Sequence, residues 1–423
     1  MRPSPRQWAF GSLLLTLTAA EVGARLLMPR KPAPEPVEVD LESYFSAEEI
    51  RRGARFARPQ LALALSRAVV ELGALAAAVR WGRPPRMTEE HLPPVVGGAL
   101  TAAGLAGALT LPPLPLAVVA RRRAKAVGLV TQSWGGWAID LVKSTAIASA
   151  LSGAAGGGVV ALTRRYPRGW WAPASAGSIA FGALLTALAP VVLDPVFNDF
   201  TPLPEGETRS DVLELARAAG VKVGEVYSID ASRRTTAANA YVTGLGPTKR
   251  VVLFDTLLDR YNRDEVRVVV AHELAHVRHR DVTRGLLYGA TVAPAAAFAV
   301  QRLSWLLSPA RGTPAALPAL GLAAALVAAP TGLIGNRLSR AVERRADAFS
   351  VELSDAPAAF VSFERTIALQ NMADLDPPRW VTRLLATHPS TAERIGAALA
   401  YPKRGQREPA LNQNQSSSSS SVS

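Results

Sequence analysis

About seven stretches of this 423-residue chain are long and apolar enough to cross a bilayer. They fall near 8–28, 60–80, 95–120, 144–163, 170–193, 284–307 and 314–335. Hydrocarbon offers no hydrogen bonds, so stretches of this kind close their backbone within themselves as helices. The expected fold is therefore predominantly α, a polytopic membrane protein with about seven transmembrane helices. A mean hydropathy of +0.15 with few aromatics already points away from an ordinary soluble enzyme. The first stretch is too long and too charged for a cleaved signal peptide.

Chemistry enters at His272-Glu273-Leu274-Ala275-His276. The pentad follows the apolar run Val268-Val269-Val270-Ala271 and reads as part of one helix. Histidines at i and i+4 present two imidazoles on one face, a bite that suits tetrahedral Zn²⁺. Glu273 then lies where it can take a proton from bound water. Three of the chain's five histidines fall between 272 and 279.

Two histidines leave a catalytic zinc site one protein ligand short. The best candidate is Glu343, with Asp347 four residues on and so on the same helical face. Asp347 can accept the other ring N–H of a ligand histidine and fix its tautomer. The alternative is a solvated helix in which these carboxylates pair with Arg340 and Arg344. Topology favours the ligand. Two spans separate His276 from Glu343, and an even number of crossings returns the chain to the side it left. His388 has three readings: a competing ligand, a stabiliser of the developing oxyanion, or a helix-start residue beside Pro389. The oxyanion role ranks first because Glu343 fills the ligand vacancy. His279 reads as a surface histidine.

The chain divides accordingly. Residues 1–193 form an N-terminal membrane region of about five spans. Residues 194–283 are the first part of a catalytic domain, 284–336 a transmembrane hairpin, and 337–400 its second part. The serine-rich tail, 401–423, reads as disordered. Within the first part a helix is expected from Ser210-Asp211 to Ala219, stopped by Gly220. Strands are expected over Val221–Ile229, Asn239–Thr243 and Arg250–Leu253. Glu21 with Arg25, and Arg67 with Glu71, place charges at helical spacing inside spans, where they are expected to face protein or water.

The formal charge of +13 comes mainly from arginines. Basic loops beside an anionic leaflet account for it, and no nucleic-acid motif appears. The Arg121-Arg122-Arg123-Lys125 cluster falls on the catalytic side by alternation, which the positive-inside rule makes cytoplasmic. Cysteine is absent, which excludes disulfides, thiolate metal sites and a cysteine nucleophile. Heavy use of Ala, Arg, Gly and Pro resembles coding from a GC-rich bacterial genome, so the bilayer expected is a bacterial plasma membrane.

These residues resemble the integral-membrane type I CAAX prenyl endopeptidases, seven-span zinc proteases of the gluzincin group. The likeness extends through Asp194-Pro195-Val196-Phe197-Asn198, Ser232–Tyr241 and Lys249–Leu258, and on to Ser339-Arg340, Glu343, Ala346-Asp347 and His388-Pro389. It runs clearly over 194–400 and more weakly through Arg121–Asp140. It implies a zincin-like α+β catalytic domain with a small β-sheet. It also implies one zinc per chain on His272, His276 and Glu343, with Glu273 as general base and Asp347 supporting a ligand. Asn239-Ala240-Tyr241 would be the edge strand on which a peptide or protein substrate lies, prenylated or membrane-inserted. Two departures bear on substrate. Ala275 stands where prenyl proteases tend to have glycine, and Val277-Arg278-His279-Arg280-Asp281 looks more like heat-shock-type membrane proteases. A quality-control protease without prenyl specificity is therefore the main alternative, and a non-catalytic scaffold or transporter the more distant one.

Overall fold

The computed structural model describes residues 4–31, 33–82, 92–244 and 249–401. The tail expected to be disordered lies outside them from residue 402 onward. The N-terminal half is helical: α1 (Pro5–Leu27), α2 (Ala47–Trp81), α3 (Pro94–Ala108), α4 (Leu114–Ala126), α5 (Trp134–Arg165) and α6 (Trp171–Leu188). A π-helical turn, Ala189–Leu193, extends α6 into the short helical segment Asp194–Phe197. After the catalytic segment come α10 (Asp281–Leu307) and α11 (Leu317–Ser354). Among the described residues, five helical runs are long and apolar enough to cross a membrane: α1, α2, α5, α6 with its extension, and Pro314–Ser354, which includes α11. The stretch expected over 95–120 is not one span. Leu109–Pro113 interrupts it, because Pro112 and Pro113 cannot continue the hydrogen bonding of α3. The 284–307 stretch is one helix, with Gln301 and Arg302 diluting its apolar face.

Small residues draw the spans together where apolar attraction between helices is weak. A Cβ at Gly156 of α5 would fall 2.3 Å from the Ala102 Cβ of α3, so only glycine permits that approach. Of the charged pairs expected inside spans, Glu21 reaches Arg25 and also Arg337 of α11, at 2.7 Å. Arg67 and Glu71 form no ion pair with one another.

Between α6 and α10 lies the segment expected to be catalytic: β1 (Phe200–Pro202), α7 (Glu207–Ala218), β2 (Glu225–Ile229), β3 (Ala240–Thr243), β4 (Arg250–Phe254), α8 (Asp255–Arg260) and α9 (Arg263–Arg278). Helices α12 (Pro357–Gln370) and α13 (Thr391–Leu399) follow α11. The strands form one mixed sheet in the order β1-β2-β4-β3, which leaves β3 on an edge. β2 and β4 are parallel, with Val226 opposite Val251, while β3 runs antiparallel to β4 with Ala240 opposite Leu253. Helix α7 starts at Glu207, earlier than expected. Asp211 is not its cap but a buried partner of Arg263 at 2.5 Å and Arg267 at 2.7 Å. Gly220, at φ +67°, ends that helical region in the left-handed conformation glycine tolerates. The core joins Val212 and Leu215 of α7 to Val251 and Leu253 of β4, Leu257 of α8, Val270 and Leu274 of α9, and Phe363 of α12.

The membrane region and the catalytic segment are stapled together. Val130 pairs with Thr235 across an isolated bridge, and Asp140 on α5 holds Arg234 at 2.9 Å. Helix α11, with 38 residues, is about 57 Å long at 1.5 Å per residue. That exceeds a hydrocarbon core of about 30 Å, so its second half can stand clear of lipid beside α9.

Candidate metal centre

Helix α9 starts at a reciprocal cap in which Asn262 accepts the Glu265 N–H and Glu265 accepts that of Asn262. Val266, Val268, Val269, Val270, Ala271, Leu274 and Ala275 are buried, which fixes the rotation of the helix. His272, Glu273 and His276 are thereby left on the face turned toward α11. Their donor atoms lie within 4.8 Å of one another. The helix then breaks at Arg280, a left-handed residue at φ 56°, and the chain turns into α10.

Glu343 on α11 meets this face. Its Oε2 is 3.3 Å from His272 Nε2, its Oε1 3.7 Å from His276 Nε2, and the two imidazole Nε2 atoms are 3.2 Å apart. Asp347, one turn on, brings Oδ1 to 2.9 Å from His272 Nδ1. The alternative of a solvated helix is not what forms. Arg340 donates to the carbonyls of Arg383 and Ala386, and Arg344 pairs with Glu393. Glu343 and Asp347 are both buried. His388 is near the same carboxylate, with Nε2 3.4 Å from Glu343 Oε2 and Nδ1 2.9 Å from the Thr387 hydroxyl. His279 turns away and packs edge-on against Phe349.

The donor set fits a divalent cation. Glu343 Oε2 is buried and receives no hydrogen bond, an orphan acceptor that demands a positive partner. Burial pulls the His272 imidazole down, yet Asp347 and Glu343 outweigh it and hold His272 up at about 10. The carboxylates thus favour positive charge at His272, which either a proton or a metal on Nε2 supplies. Burial also pushes the Glu273 carboxyl up, partly countered by His272 and His276.

Sequence reasoning missed the outer supports. Asp281, the first residue of α10, places Oδ2 3.1 Å from His276 Nδ1, and it is itself held by Arg284 at 3.0 Å and by Arg345. His276 therefore has its own carboxylate, five residues along the chain. Only the left-handed turn at Arg280 brings it back, so no helical spacing could reveal it. Arg394 on α13 bridges Asp347 at 2.6 Å and Glu364 at 2.6 Å, and Glu364 is buried. Burial pushes the Glu364 carboxyl up to about 7 against the pull of Arg394.

Two cavities flank Glu273. One, of about 150 Å³, is lined by Asn239, His272, His388, Arg394 and Phe360. The other, of about 520 Å³, is lined by Asp194, Tyr241, Thr243 and His276. Asn239, just before β3, borders the smaller cavity, and Tyr241, Val242 and Thr243 of β3 border the larger. Asn239 accepts the Phe254 N–H with its main-chain carbonyl at 3.1 Å, and its side-chain Oδ1 accepts the Ala240 N–H at 2.9 Å. Successive carbonyls in a strand point opposite ways, so that of Ala240 faces the open edge.

Residues 202–401 match the model of peptidase family M48. The chain is 32% identical over 295 residues to an uncharacterized metalloprotease, YhfN, of Bacillus subtilis, covering 68% of this chain and 69% of that protein. It is 29% identical over 267 residues to a probable CAAX prenyl protease 1 of Schizosaccharomyces pombe, spanning 61% of this chain and 56% of the yeast protein. The crystal structure of S. mikatae Ste24p superposes with a TM-score of 0.71 at 20% identity, over 92% of this chain and 97% of the other. That structural likeness establishes a shared fold.

Proposed function

The chain belongs to peptidase family M48 and is a membrane metalloendopeptidase, and we propose that it works through one zinc ion held by His272, His276 and Glu343. The observation that carries this reading is the meeting of Glu343 on α11 with both histidines on α9, across the whole of α10 and the first part of α11. Two imidazoles and one carboxylate match the donor set of a catalytic zinc site with a position left for water. Bound there, zinc supplies Lewis acidity, bringing water near neutrality in pKa and polarising the scissile carbonyl.

The chain's own residues do the rest. A substrate segment adds itself to the free edge of β3, where the Ala240 carbonyl and the Asn239 and Tyr241 side chains align it past the donors. Glu273 takes a proton from the attacking water and delivers it to the leaving nitrogen. Hydroxide adds to the acyl carbon, the C–N bond breaks, and the products are a carboxylate and an amine. His388, which lines the same cavity as His272 and Glu273, donates to the carbonyl oxygen as negative charge grows on it. Asp347 and Asp281 hold the two ligand imidazoles by their other nitrogens.

The catalytic side is proposed to be cytoplasmic. Arg121 donates to the Gln132 carbonyl and Arg123 to that of Arg55, so the basic cluster of α4 gathers at the face that also holds Arg234. The substrate is a peptide or protein presented at the membrane, prenylated at its C-terminus. A second reading, clipping of unfolded membrane proteins without prenyl recognition, is favoured by Ala275 and the basic stretch after His276.

Purified protein and its Glu273→Gln variant test the mechanism. Zinc should remain at one equivalent in both, while cleavage falls by about 10²–10⁴-fold in the variant. Retained turnover in Glu273→Gln would end the proposal. A farnesylated CAAX peptide, its unmodified twin and an unfolded membrane protein, assayed side by side, separate the two substrate readings.

A further inference from the structure

At the end of the membrane region remote from the metal donors, helix termini converge. The C-terminus of α5 turns through Tyr166–Trp170 into α6, and the connection from α10 to α11 lies against that turn. Between them is a cavity of about 370 Å³. From Leu320 on its wall to Glu343, α11 rises about 35 Å at 1.5 Å per residue, so this cavity is no part of the catalytic cleft.

Its chemistry is one-sided. Arg164 at the end of α5, Arg168 in the turn after it and Arg311 from the other connection line it, with Trp170 and Trp305, and among the described residues no acidic one contributes. Among the described residues none of these three arginines has a carboxylate partner. The catalytic face behaves differently: Arg58 pairs with Asp374, Arg234 with Asp140 and Arg263 with Asp211. The remote arginines are nevertheless held in place. Arg311 lies over the Trp305 ring at 4.5 Å. Gln301 Nε2 donates to the Arg168 carbonyl at 3.3 Å. Gly312, at φ +65°, lets its loop close on the Arg164 stem, where a Cβ would come within 3.3 Å.

Three exposed arginines that line one cavity without a carboxylate partner offer planar donor forks that match phosphate oxygens. Indole rings beside them suit the headgroup layer of a bilayer, where tryptophan is enriched. We propose that this pocket binds a phosphate group, carried by an anionic lipid headgroup or by free phosphate. Its place at the ends of α5, α6 and α11, three of the candidate spans, puts it where headgroups lie.

The test uses the full chain in phosphatidylcholine nanodiscs. Binding of added phosphatidylglycerol is read by native mass spectrometry and that of inorganic phosphate by calorimetry. The variants are Arg311→Gln and the triple Arg164→Gln/Arg168→Gln/Arg311→Gln. At about fivefold per arginine near a membrane surface, the triple variant should lose at least tenfold in affinity, and Arg311→Gln alone a few-fold. Peptide cleavage at the distant site should be unchanged in both, which also reports that they fold. If the triple variant fails to fold, the single variant carries the test. Selective retention of phosphatidylglycerol, lost in the variants, supports the site with lipid as its source. Phosphate binding lost in the variants without lipid preference supports it with a free ion as its source. Equal behaviour of wild type and variants toward both ligands overturns the proposal.

Discussion

Helices α6 and α9 are both rich in apolar residues, and they use them in opposite ways. The run Trp171–Phe197, which contains α6, has a window of mean hydropathy 2.0 with none of it buried inside the protein. Phe181, Leu184, Leu188, Val191 and Val192 all face outward. Helix α9 carries charges along one side and yet packs Val268, Val270, Ala271, Leu274 and Ala275 out of contact with solvent. The more apolar helix is the less buried one, because lipid solvates it and water cannot solvate α9. Only the helix that must pack against protein has its rotation fixed closely enough to aim His272, Glu273 and His276 together.

Substitutions can break or sharpen this contrast. The largest effect is expected at Leu257 on α8, which is 0% exposed in the core under α9. Leu257→Ala should cost about 2–5 kcal/mol, measured as the loss of folding free energy in detergent or nanodiscs. Asp211→Asn removes the buried anchor of Arg263 and Arg267 and should cost about 1.5–3 kcal/mol by the same measurement. The hydrogen bond from Arg263, then the charges of Arg267 and Arg263, hold the Asp211 carboxyl below its ordinary 3.8. Its contribution is therefore fully present above about 3.8 and fades as pH falls through the lowered folded value. Wild type and Asp211→Asn should converge in stability at the acid end; a constant gap down to the lowest pH would contradict the pairing.

Smaller changes are expected at the outer supports of the metal donors. Asp281→Asn and Asp347→Asn should each weaken metal affinity by about 10–100-fold, read by competition with a chelating dye. A loss in Asp347→Asn alone would mean that His276 needs no carboxylate. The smallest effect belongs to α6. Leu184→Ala, at a lipid-facing position, should stay within about 0.5 kcal/mol in a bilayer, since lipid tails replace the lost contacts. A cost approaching that of Leu257→Ala would show α6 packed against protein, and the contrast would fail.

Much of the catalytic constellation was legible in the residues. The i, i+4 histidines and the i, i+4 carboxylates of α11 are helical spacings, and the structure brings them together. Of the two spans expected between them, only the run containing α11 is, among the described residues, long and apolar enough to cross a membrane. The edge position of β3 followed from the resemblance, while the parallel pairing of β2 with β4 did not, because pairing between distant strands leaves no local spacing to read. The start of α7 was misplaced because Asp211 looks like a cap by type and acts as an ion-pair partner by location. The third stretch failed as a span because hydropathy averages over Pro112 and Pro113, while hydrogen bonding does not.

By itself, the sequence determined that the chain is a bundle of membrane helices carrying a metallopeptidase pentad, since composition and periodicity are local properties that the backbone must obey. The tertiary structure alone decided that Asp281 backs His276, that Arg394 ties Asp347 to Glu364, and that three unpaired arginines share a pocket at the other end. Each of these joins residues from different elements, and how such elements come to rest against one another is set by packing rather than by any interval along the chain.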